Sequence, residues 1–320
     1  MKTRISWIFY CLVSFMLLPS LSAAERFVTN ESNGFTWIQQ GKAYPILVDS
    51  QEDKGVLRAV ANLQTDAGKV TGATPEIIHS PSGNRILIVG SVENSSWIKQ
   101  LVQAGKIPAA DLKGKREKYI LQTVKQPVEG VEEAIVIAGS DKRGTIYGIY
   151  ELSRQMGVSP WYFWADVPVE KHDIISIKEG VYTDGEPAVK YRGIFLNDEW
   201  PSLGGWASAT FGGFNSKFYE TVFELVLRLK GNFMWPAMWN SAFYDDDPMN
   251  GPLANEMGIV MSTSHHEPMG QAQKDLETSW KRRVELHYER CRVARLLAAG
   301  DGTLQGLGSG DHPCHAWRRR

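Results

Sequence analysis

In the first half of the chain, hydrophobic positions recur with two different periods, which predicts an α/β fold. Helical spacing puts Val56, Val60 and Leu63 on one face of a predicted helix. Residues 95–104 predict a second helix, and residues 174–177 a late strand. Four other short apolar runs are typical of buried strands: residues 45–48, 85–89, 119–124 and 134–138.

A glycine stands at each end of residues 139–144, directly after the last of these four runs, and a helix with Ile146 and Ile149 on its apolar face follows. This segment has two interpretations, a phosphate-binding loop and a tight turn between strand and helix. The phosphate loop requires a Gly-Lys pair followed by Ser or Thr, and no Gly-Lys pair in the chain has this neighbour. The sequence therefore favours a structural turn.

An aromatic segment, residues 159–168, follows this helix and contains Trp161, Tyr162, Phe163 and Trp164. Such rings either stack on sugars or fill a domain interface, and we favour the interface because large aromatic side chains contribute buried apolar area. The turn-rich residues 184–187 then end a first domain, predicted over residues 25–186.

The second half repeats a strand, a polar segment and a helix, which predicts the first part of a TIM (β/α)8 barrel over residues 187–280. Polar groups come directly after each predicted strand, where a barrel gathers its active-site residues. About three of the eight units of such a barrel are visible. The predicted elements are strand 191–196, loop 201–215, helix 217–230, strand 232–236, a short helix near 254–257 and strand 258–264.

Two of these strand ends carry candidate chemistry. Asp198 and Glu199 are adjacent, so in an extended chain they point to opposite faces and only one can serve a given site; the alternative is that both are ordinary surface or cap carboxylates. Trp235 lies within an apolar run and is expected in the core. Trp239, which precedes a polar residue, is a candidate platform for a sugar ring.

The third strand end reads His265-His266-Glu267 and invites a comparison with zinc sites. The His-Glu-x-x-His pattern is absent, because the residue three places after Glu267 is Gly270. We therefore favour His265 as a hydrogen-bonding residue of a substrate pocket, with a structural histidine as the alternative. No metal site is predicted.

The composition indicates a folded protein without the excess of positive charge that binds polyanions. The 320 residues are 43% hydrophobic and 22% charged, with a formal net charge of -1, so neither nucleic acid nor an anionic membrane is an expected partner. Cys11, Cys291 and Cys314 are too scattered for a disulfide scaffold or a zinc site.

The first 24 residues have the order of a secretory signal peptide. Lys2 and Arg4 precede an apolar run over residues 5–18, and small residues lead to an expected cleavage site after Ala24. About 14 apolar residues fall short of the roughly 20 needed to span a bilayer. We therefore expect a secreted or periplasmic protein without stable membrane insertion.

Three segments, residues 191–200, 230–239 and 258–269, resemble glycoside hydrolase family 115, and residues 139–168 resemble the end of that family's N-terminal domain. The resemblance covers roughly residues 26–275. It implies a small α/β domain and a TIM barrel, followed in the family by a helical region and a C-terminal β-sandwich. It also implies a xylan α-glucuronidase, which removes α-1,2-linked glucuronic acid or its 4-O-methyl ether from glucuronoxylan with inversion.

By the same resemblance, Asp198, Trp239 and His265 are candidates for the pocket that holds the uronic acid. No catalytic residue is assigned, because the family's principal carboxylates lie farther along the barrel, and no cofactor is implied. The expected partners are glucuronoxylan or glucuronoxylo-oligosaccharides. The alternatives are a non-catalytic carbohydrate-binding protein and a glycosidase of similar architecture such as a hexosaminidase; only a uronic acid requires a cationic or multi-donor partner.

The resemblance ends after about Lys274, and residues 281–320 differ in composition, with nine Lys or Arg against four Asp or Glu. Residues 304–319 can be encoded by a DNA sequence whose shifted frame reads Tyr-Lys-Asp-Trp-Asp-Gln-Val-Ile-Thr-Leu-Ala-Met-Arg-Gly-Asp. That peptide has the style of a further barrel strand of the family. We therefore expect residues 281–320 to be an out-of-frame tail, the alternative being a basic tail that binds an acidic partner.

Overall fold

A computed structural model describes residues 25–239 and 241–263 of the chain. The chain divides into two compact units, Met1–Ala188 and Val189–Arg320. Both have the mixed α/β character that the hydrophobic pattern predicts.

The first unit contains ten described strands and three described α-helices. The helices are α1 (Lys54–Thr71), α2 (Ser96–Gln103) and α3 (Lys142–Gln155). The strands are β1 (Val28–Thr29), β2 (Phe35–Gln39), β3 (Lys42–Ala43), β4 (Ile46–Val48), β5 (Ile77–Ile78), β6 (Arg85–Ser91), β7 (Tyr119–Lys125), β8 (Glu133–Gly139), β9 (Ile174–Ile177) and β10 (Val181–Tyr182).

Six of these strands form the main sheet of the first unit, in the order β10-β7-β8-β6-β4-β5. Strands β5, β4, β6 and β8 are parallel, and β7 and β10 run antiparallel to their neighbours. The apolar runs of β6 and β8 are buried throughout their centres, as expected of strands covered on both faces. The predicted strands of this domain are therefore confirmed, with ends that differ by one or two residues.

A second, four-stranded antiparallel sheet has the order β1-β9-β2-β3. The sequence predicted only β9 of these strands. Strands β2 and β3 are joined by Gln40 and Gly41, both with positive φ, which is the geometry of a two-residue hairpin turn. The alternation of buried Phe35 and Trp37 with a polar residue between them is the pattern that indicates β2.

The second unit contains a three-stranded parallel sheet with helices between its strands. The three strands lie side by side in the sheet in the same order as they occur in the sequence. A (β/α)8 barrel also starts with parallel strands in sequence order that are separated by helices. The elements are β11 (Gly193–Phe195), α4 (Leu203–Phe211), α5 (Ser216–Arg228), β12 (Phe233–Trp235), α6 (Phe243–Asp246), α7 (Asn250–Met257) and β13 (Val260–Met261).

Strand β11 lies at the edge of this sheet and is shorter than the apolar run that predicted it. All three of its residues are exposed. Its start is fixed to β12 by Asn232, whose side chain accepts from the backbone N–H of Arg192 at 3.0 Å and donates to the carbonyl of Lys190 at 2.8 Å. The buried amide of Asn232 thus sets the register of the two strands.

The expected loop at 201–215 is wrong in part, because it contains α4. Glycine at positions 204 and 205 disfavours a helix, but the aromatic rings of this segment pack on the next helix. Trp206 and Phe211 both contact Phe218 of α5 edge to face, at centroid distances of 6.5 and 5.7 Å. Tertiary packing therefore overrides local propensity here.

Candidate functional site

The structure brings two of the three predicted site residues together. Asp198 follows β11 and Trp239 follows β12, and the backbone N–H of Trp239 donates to Oδ2 of Asp198 at 2.9 Å. Asp198 is 0% exposed, whereas the Trp239 side chain is 47% exposed. His265 lies outside the described residues, together with His266 and Glu267.

Asp198 is in an environment that opposes its negative charge. Burial raises the pKa of the Asp198 carboxyl above its usual value, and the backbone N–H groups of Met238 and Trp239 counteract part of that effect. Its second oxygen, Oδ1, is buried and accepts no hydrogen bond from any described residue. An oxygen in this position is stabilised either by a proton or by a further donor.

Glu199 differs from Asp198 in burial, and its negative charge contributes to the raised pKa of Asp198. Its side chain is exposed, and its backbone carbonyl accepts from Oγ of Ser202 at 2.9 Å, at the start of α4. One carboxylate of this strand end is therefore buried and the other is exposed.

The segment that carries Trp239 is held by a second contact. The backbone N–H of Ala237 donates to the hydroxyl of Tyr219 at 3.2 Å. Tyr219 is buried on α5, where Phe223 and Phe243 pack against its ring. The backbone before Trp239 is thus anchored to a rigid helix while the indole is exposed.

Trp235 is half-buried. Its ring meets Phe195 of the neighbouring strand edge to face, with 5.5 Å between centroids. This contact joins β11 and β12, but Trp235 is not among the fully buried residues, so its expected place in the core is only partly met.

The turn at 139–144 is structural, as the sequence favoured. Asp141 accepts from the backbone N–H of Gly144 at 2.7 Å and from that of Glu117 at 2.8 Å, so its carboxylate caps α3. A Cβ on Gly144 would lie 2.3 Å from the carbonyl oxygen of Lys118. A Cβ on Gly139 would lie 2.2 Å from the backbone nitrogen of Thr145, so an acidic cap and close approaches explain both glycines without a phosphate.

The aromatic segment of the first unit is only partly covered. Trp161 and Phe163 are exposed, and the ammonium of Lys69 lies 4.2 Å from the ring centroid of Tyr162. These contacts support neither of the two interpretations over the other, and its role in an interface stays a prediction.

Sequence reasoning missed one exposed aromatic residue at the same strand end. Trp200 is 63% exposed and stands two residues after Asp198. The Gly-Gly pair at 204 and 205, which begins four residues after Trp200, is the sequence feature that could have drawn attention to it.

Two absences apply to the described ranges 25–239 and 241–263. No helix there is both long and apolar enough to cross a bilayer. Nor do these residues bring three His, Cys, Asp or Glu side chains together in a group that could hold a metal ion.

Comparison with protein families gives two matches. Residues 184–295 match the model described as Glycosyl hydrolase family 115, and residues 31–152 match the Glycosyl hydrolase family 67 N-terminus. The first match continues past Lys281, where the expected tail was placed. A search of curated proteins finds no match.

Among solved structures, a family GH115 4-O-methyl-α-glucuronidase, BtGH115A, described with specificity for decorated arabinogalactans, is 35% identical with a TM-score of 0.63. The match covers 74% of this chain and 30% of that chain, so the present chain spans less than a third of that relative.

Two hexosaminidases show more remote likenesses. The N-acetyl-β-hexosaminidase of Streptomyces plicatus is 13% identical, with a TM-score of 0.42. The β-N-acetylhexosaminidase of Streptomyces coelicolor is 12% identical, with a TM-score of 0.43. Each match covers 72% of this chain and 43% of the other. Similarity at this level carries no argument about function. The family 115 matches, in contrast, agree in sequence and in fold, and the chain belongs, as an N-terminal portion, to glycoside hydrolase family 115.

Proposed function

We propose that this chain derives from an exported α-glucuronidase that removes α-1,2-linked glucuronic acid, or its 4-O-methyl ether, from glucuronoxylan with inversion. The observation that carries the proposal is the 35% identity with a protein described as a 4-O-methyl-α-glucuronidase. That protein is described with specificity for decorated arabinogalactans. The terminal uronic acid is the part of the substrate common to both polysaccharides. The experiment must therefore measure which polysaccharide backbone, xylan or galactan, the enzyme accepts.

Each predicted site residue has a distinct task in this proposal. The exposed indole of Trp239 contacts the uronic acid, and His265 donates a hydrogen bond to it. Asp198 is fully buried and acts by holding the segment of Trp239 through Oδ2. Inverting hydrolysis also needs two carboxyl groups roughly 6.5–9.5 Å apart, and we assign neither of them to the described residues.

The first test is the coding DNA, read from the codon of Gln271 to a few hundred bases past that of Arg320. We expect a shifted frame that continues into Met-Arg-Gly-Asp and a long reading frame. Because the family match extends to residue 295, we expect the change of frame after that residue. A stop codon after Arg320 with no continuation in any frame would favour the carbohydrate-binding alternative.

The second test is catalytic. The purified 320-residue chain should release no uronic acid, whereas protein from the restored frame should release it from glucuronoxylan or from a decorated arabinogalactan. Proton NMR of the anomeric signal during the first turnovers should show the β-anomer, since inversion of an α-linkage gives that product.

Four results would contradict parts of the proposal. Release by the 320-residue chain would disprove its inactivity, and an initial α-anomer would disprove inversion. Binding without release by a folded, restored protein would favour a carbohydrate-binding function. Release of an N-acetylated sugar in place of a uronic acid would favour the hexosaminidase alternative.

Export is tested separately by the mass of the protein recovered from the periplasm or the medium. Cleavage after Ala24 leaves Glu25 as the first residue. Recovery of the full-length chain in the cytoplasm alone would contradict the proposed signal peptide.

A further inference from the structure

Trp200 is the most exposed of the large hydrophobic side chains described in the structure, at 63%. It belongs to the second unit and lies just beyond the carboxyl end of β11, two residues after the buried Asp198. An indole left in water at such a place gains little from folding. Its position is therefore better explained by contact with a ligand than by packing.

The indole of Trp200 nevertheless packs against two glycines, Gly204 and Gly205, which we call its seat. A Cβ on Gly204 would lie 2.5 Å from Nε1 of Trp200 and 2.8 Å from Cδ1 and Cε2. A Cβ on Gly205 would lie 3.8 Å from Cε3 and Cζ3. The five-membered ring thus lies against the first glycine and the six-membered ring against the second.

This seat has a cost in local helix stability. Gly204 and Gly205 are in the first turn of α4, and each glycine in a helix is less favourable than alanine by up to about 1 kcal/mol. A side chain at 204 would displace the ring. The sequence therefore gives up helix propensity to keep one face of Trp200 against the backbone while the side chain is largely exposed.

We propose that Trp200 is a binding platform for a neutral pyranose of the polysaccharide main chain, next to the pocket for the uronic acid. Axial C–H groups of a pyranose carry partial positive charge and suit the electron-rich face of an indole. Two residues of chain span at most about 7 Å. The Trp200 indole is therefore close to Asp198, but it is exposed whereas Asp198 is buried. This inference rests on the proposed function for the identity of the neighbouring pocket.

The test measures binding to undecorated oligosaccharides by calorimetry, with the full chain. The two probes are xylohexaose and a β-1,6-linked galactohexaose, which separate a xylan from a galactan main chain. Trp200→Ala should weaken binding of the preferred probe about tenfold, a loss typical of one aromatic contact. Trp200→Phe should retain part of the affinity.

A glycine pair provides the matched control. Gly204→Ala should displace the indole and weaken binding as Trp200→Ala does, whereas Gly205→Ala leaves an ordinary contact distance and should bind like the wild type. Both changes favour the helix, so a loss of binding confined to a folded Gly204→Ala variant is attributed to the displaced ring. Circular dichroism of all four variants checks that they are folded.

The outcomes distinguish this inference from the proposed function. Unchanged affinity in Trp200→Ala, equal behaviour of the two glycine variants, or binding of neither probe by the wild-type chain would overturn the platform. D-glucuronic acid alone reports on the uronic acid pocket, and its affinity should not depend on Trp200. A platform that binds main-chain sugar without any glucuronic acid binding would leave the inference standing and the proposed function in error.

Discussion

Both units of this chain place carboxylates just beyond the carboxyl ends of parallel strands, and they use them differently. In the first unit, Glu52 follows β4 and accepts from the backbone N–H of Ser91 at 2.8 Å and from its hydroxyl at 3.0 Å. In the second unit, Asp198 follows β11 and has one oxygen that accepts no hydrogen bond from the described residues.

The comparison shows that the position of a carboxylate in the topology does not decide its role. The first unit uses its strand-end acids within the fold, as caps and as braces between loops. The second unit leaves an acceptor and two exposed indoles, those of Trp200 and Trp239, at the corresponding place. What separates a candidate site from a structural turn is hydrogen-bonding capacity left over after folding.

The largest effect on stability is expected from removing Glu52, the strand-end carboxylate of the first unit. Glu52→Ala leaves the buried N–H and hydroxyl of Ser91 without their acceptor, and should lower the free energy of unfolding of the first unit by about 3 kcal/mol. Glu52→Gln, which keeps one acceptor, should cost about 1 kcal/mol. Urea unfolding followed by circular dichroism measures both.

The control for Glu52 is Glu199→Ala, which removes an exposed carboxylate at the corresponding strand end and should change stability by less than about 0.5 kcal/mol. Equal costs for the two alanine variants would show that Glu52 is not a structural brace.

The next largest effect on stability is expected from substitutions of Asp198, the corresponding carboxylate of the second unit. Asp198→Ala removes the acceptor of the Trp239 N–H and should cost about 1–2 kcal/mol. Asp198→Asn retains an acceptor without the charge and should be at least as stable as the wild type at pH 7. Thermal unfolding of the three proteins at this pH gives the order.

The pH dependence of Asp198 has a defined sign. Its pKa is raised above 3.8 in the folded state, so the folded protein binds the proton more tightly than the unfolded chain does. Its contribution to stability therefore falls as the pH rises from about 4 through the folded pKa. The difference in stability between Asp198→Asn and wild type should grow over that range, and a constant difference would contradict the raised pKa.

The smallest effect comes from Asp247, a carboxylate of the second unit that is used as those of the first unit are. A hydrogen bond from the Ser216 hydroxyl lowers the pKa of Asp247 most. The backbone N–H groups of Ser216 and Met249, which donate to its carboxylate at 2.9 Å each, lower this pKa further. Its contribution is present above the ordinary pKa of 3.8 and is lost as the pH falls through the lower folded value.

The test for Asp247 compares the urea midpoints of Asp247→Asn and the wild type at neutral and at low pH. The wild type should be slightly more stable at pH 7, and the two should converge in acid. A gap that persists unchanged at low pH would show that the carboxylate charge is not involved.

Much of the fold could be predicted because burial imposes periodic patterns. Strands β6 and β8 are covered on both faces and read as apolar runs, and α5 shows its inner face in the spacing of Phe218, Val222 and Leu225. Helix α4 escaped prediction because rings outside the segment stabilise it. Strands β1 and β3 escaped because each is only two residues long, and β1 and β2 both pair with the distant β9.

The site was predictable in part. The resemblance of the strand ends to a family drew attention to Asp198 and Trp239, but their hydrogen bond depends on the register of β11 and β12, which pairs Phe195 with Trp235. Such a register is fixed by long-range contacts and not by spacing within one strand. Trp200 was missed because its exposure and its seat are properties of the folded backbone.

The edge strand β11 also has a consequence for the solubility of this protein. Among the described residues it pairs only with β12, and its outer side presents backbone donors and acceptors beside Ile194 and Phe195. An edge of this kind is a template for a strand of another molecule. Self-association through β11 should therefore set the upper limit of the concentration at which the protein can be stored, and Ile194→Lys is the simplest way to raise that limit.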